Sequence, residues 1–242
     1  MTQLSVNINK IALLRNSRGR NYPEVCAFAE RFLQLGADGI TLHPRPDQRH
    51  ARYADVPELH AVTSAYGKEL NVEGYPTAEF LEVVRRTRPA QCTLVPDSPD
   101  QVTSDHGWDL VRDAAMLRPV IAALNDDGIR VSLFVDVNNA LLPLARELGA
   151  ARIELYTEPY AETFGSKESA MVLEQFRVAA ALAVQAGLGV NAGHDLNLEN
   201  LGDFLTIPDI LEVSIGHALI VECLELGMPA VIARYVTLAG TG

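Results

Sequence analysis

Histidine and glutamate side chains occur where short apolar runs of this sequence end. His43 and Glu73 lie at the ends of two such runs, His194 directly follows a third, and Glu154 lies inside a fourth. Burying an unpaired carboxylate costs several kcal/mol, so Glu73 and Glu154 require either a partner or a function. Imidazole and desolvated carboxyl groups exchange protons near neutral pH. These residues therefore predict general acid–base catalysis.

A second group of residues has the chemistry of an anion site. Gly-His directly follows two successive apolar runs, in NAGHD (191–195) and SIGHA (214–218). Glycine lets the backbone approach an anion closely, and backbone N–H groups at a helix start bind phosphate. Residues 1–52 carry eight basic against four acidic side chains, although the whole chain has a net charge of −11. The basic segment predicts a compact anionic ligand. The negative charge of the whole chain argues against nucleic acid as a partner.

Eight apolar runs alternate with stretches of helical spacing. The runs are LSVNIN (4–9), GITLH (39–43), LNVEG (70–74), CTLVP (92–96), RVSLFVD (130–136), RIELY (152–156), LGVNAG (188–193) and EVSIG (212–216). Strands that alternate with helices indicate parallel βαβ units, and eight repeats indicate a closed barrel. We therefore expect a (β/α)₈ TIM barrel with additional short helices, forming one catalytic domain over residues 1–242.

In such a barrel, the carboxyl ends of the strands surround the active site. Four of the six histidines fall at this end, namely His43, His50, His194 and His217. Asn7 and Asn9 lie near the end of the first strand, followed by Lys10. The polar segment 97–109 follows the fourth strand, and we expect it to form a lid. The stretch 110–123 predicts a helix.

The composition sets further limits. The N-terminus lacks a basic segment followed by a long apolar run, and no run of about 18 apolar residues occurs. The three cysteines are odd in number and far apart, which fits neither a disulfide framework nor a zinc site. We expect a cytoplasmic protein that does not associate with membranes.

Several longer motifs are similar to those of the pyridoxine 5′-phosphate synthase family of vitamin B6 biosynthesis. They are VNINKIALLRNSRG (6–19), GADGITLHPRPDQRH (36–50), LNVEG (70–74), TLVPD (93–97), VNAGHDL (190–196) and IGHALI (215–220). The resemblance implies a barrel that assembles as a homo-octamer and needs neither metal nor organic cofactor. It implies the condensation of 3-amino-2-oxopropyl phosphate with 1-deoxy-D-xylulose 5-phosphate, with release of inorganic phosphate and water.

The resemblance also implies residue roles. Glu73 and His43 would be general bases, His194 the proton donor, and Glu154 a residue that stabilises charge. The aminoketone phosphate would be held by Asn7, Arg18, Gly216 and His217, with Arg18 reaching the site of a neighbouring subunit. Deoxyxylulose phosphate would be held by Arg45, His50 and Thr103.

Three short segments depart from the pattern of many members. This chain has Asn9-Lys10 where many members have Asp-His, and Asp195 where they have Gly. It has Tyr156-Thr157-Glu158 where they have His-Thr-Gly. We expect Asn9 and Lys10 to contact deoxyxylulose phosphate. We expect Asp195 to lie beside a phosphate, where a backbone contact survives the change from glycine.

Two other functions fit some of these residues. A Schiff-base aldolase-like barrel would use Lys10 as its nucleophile. A non-catalytic barrel would only bind a phosphorylated metabolite, although binding alone does not need the set of Glu73, His43 and His194.

Overall fold

Eight parallel strands close into a barrel in sequence order. The computed structural model describes residues 1–97, 104–137 and 141–240. The strands are β1 (Gln3–Asn7), β2 (Gly39–Leu42), β3 (Glu69–Gly74), β4 (Gln91–Leu94), β5 (Arg130–Val135), β6 (Arg152–Tyr156), β7 (Gly189–Gly193) and β8 (Ile210–Ile215). Each strand pairs with the next, and β8 pairs with β1, with Val213 opposite Leu4. The predicted (β/α)₈ barrel is confirmed.

Helices follow the strands, and the described residues form eleven of them. They are α1 (Asn9–Asn16), α2 (Val25–Gln34), α3 (Asp55–Ala65), α4 (Ala78–Thr87), α5 (Ala114–Asp126), α6 (Pro143–Leu148), α7 (Glu158–Thr163), α8 (Ser169–Gln185), α9 (Leu201–Phe204), α10 (His217–Leu226) and α11 (Met228–Gly240). The short helices α7 and α9 are additions of the kind that the sequence predicted. No helix among the described residues is long and apolar enough to cross a membrane.

Alternate side chains of each strand point to opposite faces of the barrel wall. In β5, Val131, Leu133 and Val135 belong to the large apolar core that includes residues of the surrounding helices. The other face is largely polar. Asn191 of β7 donates to Gln91 of β4 at 3.4 Å. Because these strands are not neighbours, the two side chains meet across the interior of the barrel.

Ion pairs close the amino-terminal end of the barrel. Arg130 pairs with Glu69, and Arg152 pairs with Glu212 at 3.2 Å. Above them, hydroxyl and amide groups form a hydrogen-bonded layer, in which the Ser5 and Thr41 hydroxyls lie 2.6 Å apart. The cavity described below lies at the opposite, carboxyl-terminal end of the barrel.

Two boundaries differ from the sequence prediction. β1 ends at Asn7, so Asn9 and Lys10 begin α1 instead of ending the strand. The reason is local, because the Asn7 side chain accepts a hydrogen bond from the Asn9 N–H at 3.1 Å and turns the chain. The helix predicted over 110–123 begins only at Ala114, since residues 110–113 form a turn that the Asp109 carboxylate caps.

Part of the predicted lid segment is anchored. Trp108 is buried, donates its indole N–H to the Leu94 carbonyl at 2.8 Å and stacks on Tyr75. The preceding Gly107 packs directly against the backbone of Val135 and Asp136. Thr103 lies outside the described residues.

Candidate active site

A cavity of about 510 Å³ lies at the carboxyl ends of the strands. Among the described residues that the sequence predicted for the site, all except Arg18 line this cavity. The lining residues are Asn7, Asn9, Lys10, Leu13, His43, Arg45, Arg49, His50, Glu73, Ser104, Glu154, His194, Asp195, Ser214, Gly216 and His217. Arg18 is exposed after the end of α1 and does not line this cavity. Within the described residues, no group of three or more His, Cys, Asp or Glu side chains is arranged to hold a metal ion.

Two buried carboxyl groups face the cavity. Glu73, at the end of β3, accepts a hydrogen bond from the Asn7 amide at 3.4 Å. Its burial, reinforced by the charges of Asp97 and Glu212, raises its pKa to about 8. Burial, followed by the charges of Glu73 and Glu212, raises the pKa of Glu154 well above its usual value. A carboxyl group with a pKa this close to neutral pH can both accept and release a proton there, which suits acid–base catalysis.

Glu154 occupies space that a glycine on the neighbouring strand leaves open. A β-carbon on Gly193 would overlap Glu154 Oε1. The other oxygen, Oε2, is buried without a hydrogen-bond partner among the described residues. A buried, unsatisfied carboxyl oxygen beside a cavity is available to a bound molecule.

His43 follows β2 and is held by α1. Its backbone N–H donates to the Asn9 side-chain oxygen at 2.9 Å. Burial and the nearby cations, Arg45 first, lower its pKa well below the usual value. His43 is therefore a neutral imidazole at pH 7, which is the form that accepts a proton.

His194 packs against two aromatic rings that also contact each other. Its ring centroid is 5.0 Å from that of Phe134 and 5.4 Å from that of Tyr156. Burial lowers its pKa, and the carboxylates of Asp195 and Asp97 oppose this effect. The net effect of these groups favours neutral His194. A bound phosphate would add negative charge and favour the protonated form.

Basic residues line the side of the cavity next to α1. Arg45 is buried and pairs with Oδ2 of Asp97. The same oxygen accepts a hydrogen bond from the Ser104 hydroxyl at 2.7 Å. His50 Nδ1 accepts the Ala51 N–H at 2.9 Å, which places the proton of the neutral ring on Nε2. Burial and the charge of Arg45 lower the pKa of His50 to about 4.

The start of α10 forms another part of the cavity wall. Gly216 precedes the helix and His217 is its first residue. A β-carbon on Gly216 would lie 3.0 Å from Asn7 Cβ, so a larger residue would crowd Asn7. The free N–H groups at a helix start favour an anion.

Sequence reasoning missed several contributors. Ser214, Ser104 and Arg49 line the cavity, and Asp97 orients Arg45 from behind it. The sequence already indicated Asp97 as a candidate, because this residue follows β4 and ends the TLVPD motif. Ser214 shares the inward face of β8 with Glu212, two residues earlier, so strand alternation also pointed to it.

Residues 4–241 match the family described as "Pyridoxal phosphate biosynthesis protein PdxJ". The chain belongs to this family. It is 52% identical over 249 residues to pyridoxine 5'-phosphate synthase of Xanthomonas campestris pv. campestris (strain B100), covering 100% of this chain and 97% of that protein. It is 54% identical over 243 residues to pyridoxine 5'-phosphate synthase of Xylella fastidiosa (strain M23), covering 97% and 94%.

Solved structures support the fold. Thiamine phosphate pyrophosphorylase from Pyrococcus furiosus superposes with a TM-score of 0.64 at 13% identity, covering 99% of this chain and 96% of that chain. At this identity the likeness concerns the barrel alone. Membership of the PdxJ family rests on the sequence match over nearly the whole chain.

Proposed function

We propose that this protein is a pyridoxine 5′-phosphate synthase that condenses 3-amino-2-oxopropyl phosphate with 1-deoxy-D-xylulose 5-phosphate. The observation that carries this proposal is the meeting of Glu73, Glu154, His43 and His194 around one cavity with cationic groups at its wall. Such a cavity supplies proton acceptors, a proton donor and anion binding together. Its family relatives carry the name of the same activity.

Glu73 and His43 are the proposed general bases. Forming the ring requires the amine to condense with a ketone and protons to leave carbon. Neutral His43 accepts a proton at physiological pH, and Glu73 does so once it is ionised near pH 8. Since the two bases come from the ends of neighbouring strands β2 and β3, they act on one side of a bound substrate.

His194 is the proposed proton donor, and Glu154 supports it from the adjacent strand. Leaving water and phosphate each need a proton, which an imidazolium supplies when substrate phosphate raises the pKa of His194. Protonated Glu154 donates a hydrogen bond where charge develops. Its buried, unpartnered oxygen is the group available for this contact.

The two phosphates have separate proposed sites. The start of α10, with Gly216, His217 and Asn7, receives the aminoketone phosphate. Arg45, His50 and Lys10 receive deoxyxylulose phosphate on the α1 side, with Asn9 beside them. Asp195 is exposed at the rim, so its backbone and not its carboxylate serves the anion.

The proposed active site is completed by a residue from a neighbouring subunit. Arg18 is exposed and away from its own cavity, which suits a residue that serves a neighbouring subunit in a homo-octamer. Thr103 would contribute from the lid segment. We place this single-domain catalyst in the cytoplasm, where three unpaired cysteines remain reduced.

The Schiff-base alternative finds less support. A nucleophilic lysine is activated by desolvation or by another cation at close range. Lys10 is only half-buried, at the second position of α1 and outside the barrel strands. Its position suits contact with a phosphate at the cavity mouth.

The test is a reconstitution with both substrates. Purified protein should form pyridoxine 5′-phosphate and release phosphate in equal amounts, and either substrate alone should give no product. Absence of product from folded protein with both substrates would refute the proposal.

A further inference from the structure

The turn after β7 holds two consecutive residues in the left-handed backbone region. His194 has φ = +82° and Asp195 has φ = +58°. Residues other than glycine rarely adopt this region, and such strain persists only where surrounding contacts impose it. The strained pair includes the proposed proton donor, so the contacts that impose the conformation also aim its imidazole.

Thr157 supplies the first of these contacts. It is fully buried and directly precedes α7, the position from which a threonine commonly caps its own helix. Here its hydroxyl makes no such cap. The hydroxyl instead lies 2.6 Å from the Gly193 carbonyl and in closer contact with the His194 carbonyl, while its backbone N–H donates to Gly193 at 2.9 Å.

Tyr160, one turn later in α7, supplies a second contact through Asn200. Its buried hydroxyl donates to the Asn200 carbonyl at 2.7 Å. The Asn200 amide in turn donates to the Asp195 carbonyl at 3.1 Å. The turn is therefore fixed on both sides of the strained pair, at Gly193–His194 and at Asp195.

The rings around His194 complete the arrangement. Phe134 and Tyr156 fix where the imidazole packs, but ring packing alone leaves the backbone free to relax to negative φ. The Thr157 hydroxyl contacts the backbone of the turn directly, and the Tyr160 hydroxyl acts on it through Asn200, so these contacts complement the ring packing. None of these hydroxyl contacts reaches the cationic side of the cavity next to α1.

We propose that Thr157 and Tyr160 are positioning residues that hold His194 in its left-handed conformation and so aim its imidazole into the cavity. The catalytic consequence rests on the proposed function, whereas the conformational consequence does not. Removing either hydroxyl lets the turn relax and moves the imidazole away from Phe134 and Tyr156. A displacement of about 1 Å in a catalytic group lowers turnover by up to about 100-fold.

The test compares variants that differ by single atoms or groups. Thr157→Val replaces the hydroxyl by a methyl group of similar size, Thr157→Ser restores the hydroxyl, and Tyr160→Phe removes the other one. Thr163→Val is the matched control, because the half-buried Thr163 bonds, among the described residues, only to carbonyls of its own helix, those of Pro159 and Tyr160.

Two readouts separate positioning from simple support of the fold. The ring signals of the six histidines are recorded by NMR on protein labelled at histidine Cε1, and the loss of one signal in His194→Asn assigns His194. The neighbouring rings shift this signal, so its position reports the placement of the imidazole. Turnover and KM are measured with both substrates.

We expect Thr157→Val to move the His194 signal and to lower kcat about 10- to 100-fold with unchanged KM. Thr157→Ser and Thr163→Val should match the wild type. Folded Thr157→Val with wild-type kcat and an unmoved His194 signal overturns the proposal. If Thr157→Val does not fold, Tyr160→Phe decides by the same criteria.

The design also separates this proposal from the proposed function. If the wild type forms no pyridoxine 5′-phosphate, the proposed function fails and the NMR comparison alone decides the positioning role. A moved signal then supports positioning of His194, and an unmoved one refutes it.

Discussion

Glu154 Oε1 occupies the place that a β-carbon on Gly193 would need. The two residues belong to adjacent strands, β6 and β7, and their backbones are linked by the pairing of Tyr156 with Gly193. Glycine at this position therefore does not serve backbone flexibility. It leaves the volume in which a buried carboxyl group faces the cavity.

The first prediction concerns this packing. Gly193→Ala should displace the Glu154 carboxyl group and lower kcat about 10- to 100-fold, because small displacements of catalytic groups are costly. Steady-state kinetics on the folded variant measure the effect. Gly202→Ala is the control, since a β-carbon there would meet only Leu238, at an ordinary 3.5 Å. Wild-type kcat in Gly193→Ala would contradict the role given to this contact.

The second prediction concerns the buried ion pair of Arg15 and Asp55. Arg15 donates to both Asp55 oxygens, at 2.6 and 2.9 Å, and to the His50 carbonyl at 3.2 Å. Arg15→Met leaves the Asp55 charge buried and unpaired, which should lower the free energy of unfolding by about 3–5 kcal/mol. Denaturant titration measures the change.

A surface pair provides the comparison for Arg15. Arg85 contacts Asp127 with half of its own side chain exposed. Arg85→Met should therefore change the free energy of unfolding by about 0–1 kcal/mol. Equal losses in the two variants would show that burial does not set the strength of the Arg15 pair.

The third prediction concerns pH. The pKa of Glu73 is raised from 4.5 to about 8 in the folded protein, so the unfolded chain loses this proton at lower pH than the folded one. Stability from this group is complete below about pH 4.5 and is lost as pH rises toward about 8. The slope is at most about 1.4 kcal/mol per pH unit.

Glu73→Gln removes this titration. The Tm of the variant minus that of the wild type should increase across the same pH range and then level off, as followed by thermal unfolding at a series of pH values. A Tm difference that stays constant over the range would show that Glu73 titrates normally.

The fourth prediction concerns Lys10. Lys10→Met should keep its kcat and raise the KM for deoxyxylulose 5-phosphate about 10-fold, the loss of one charge-assisted contact. Borohydride added with either substrate should leave the mass of the wild-type protein unchanged. A reduced adduct on Lys10, with loss of turnover in Lys10→Met, would support the Schiff-base mechanism.

The sequence predicted the barrel and most of the residues that line the cavity, because both depend on local pattern. The eight apolar runs became the eight strands, and residues at their carboxyl ends came together at one cavity. The positions of Glu73 and His194 in the cavity follow from their places at the carboxyl ends of strands. The start of α1 at Asn9 was mispredicted because it depends on side-chain bonds, one of them to the distant His43 backbone.

The remaining differences arise from contacts between segments far apart in sequence. Asp97 contributes by holding Arg45, 52 residues earlier in the chain. The left-handed turn at His194 depends on Thr157, on the preceding strand–helix connection. Such contacts arise when the strands close into a barrel. They cannot be predicted from the residue pattern of one segment alone.

Product formation by Glu73→Gln tests the central claim most directly. The variant keeps the size of the side chain and removes the proposed base, so formation of pyridoxine 5′-phosphate should fall by about 10²- to 10⁴-fold. Glu69→Gln is the matched control, because Glu69 begins the same strand and pairs with Arg130 at the opposite end of the barrel. The account predicts product from Glu69→Gln and almost none from folded Glu73→Gln. Wild-type product formation by folded Glu73→Gln would contradict it.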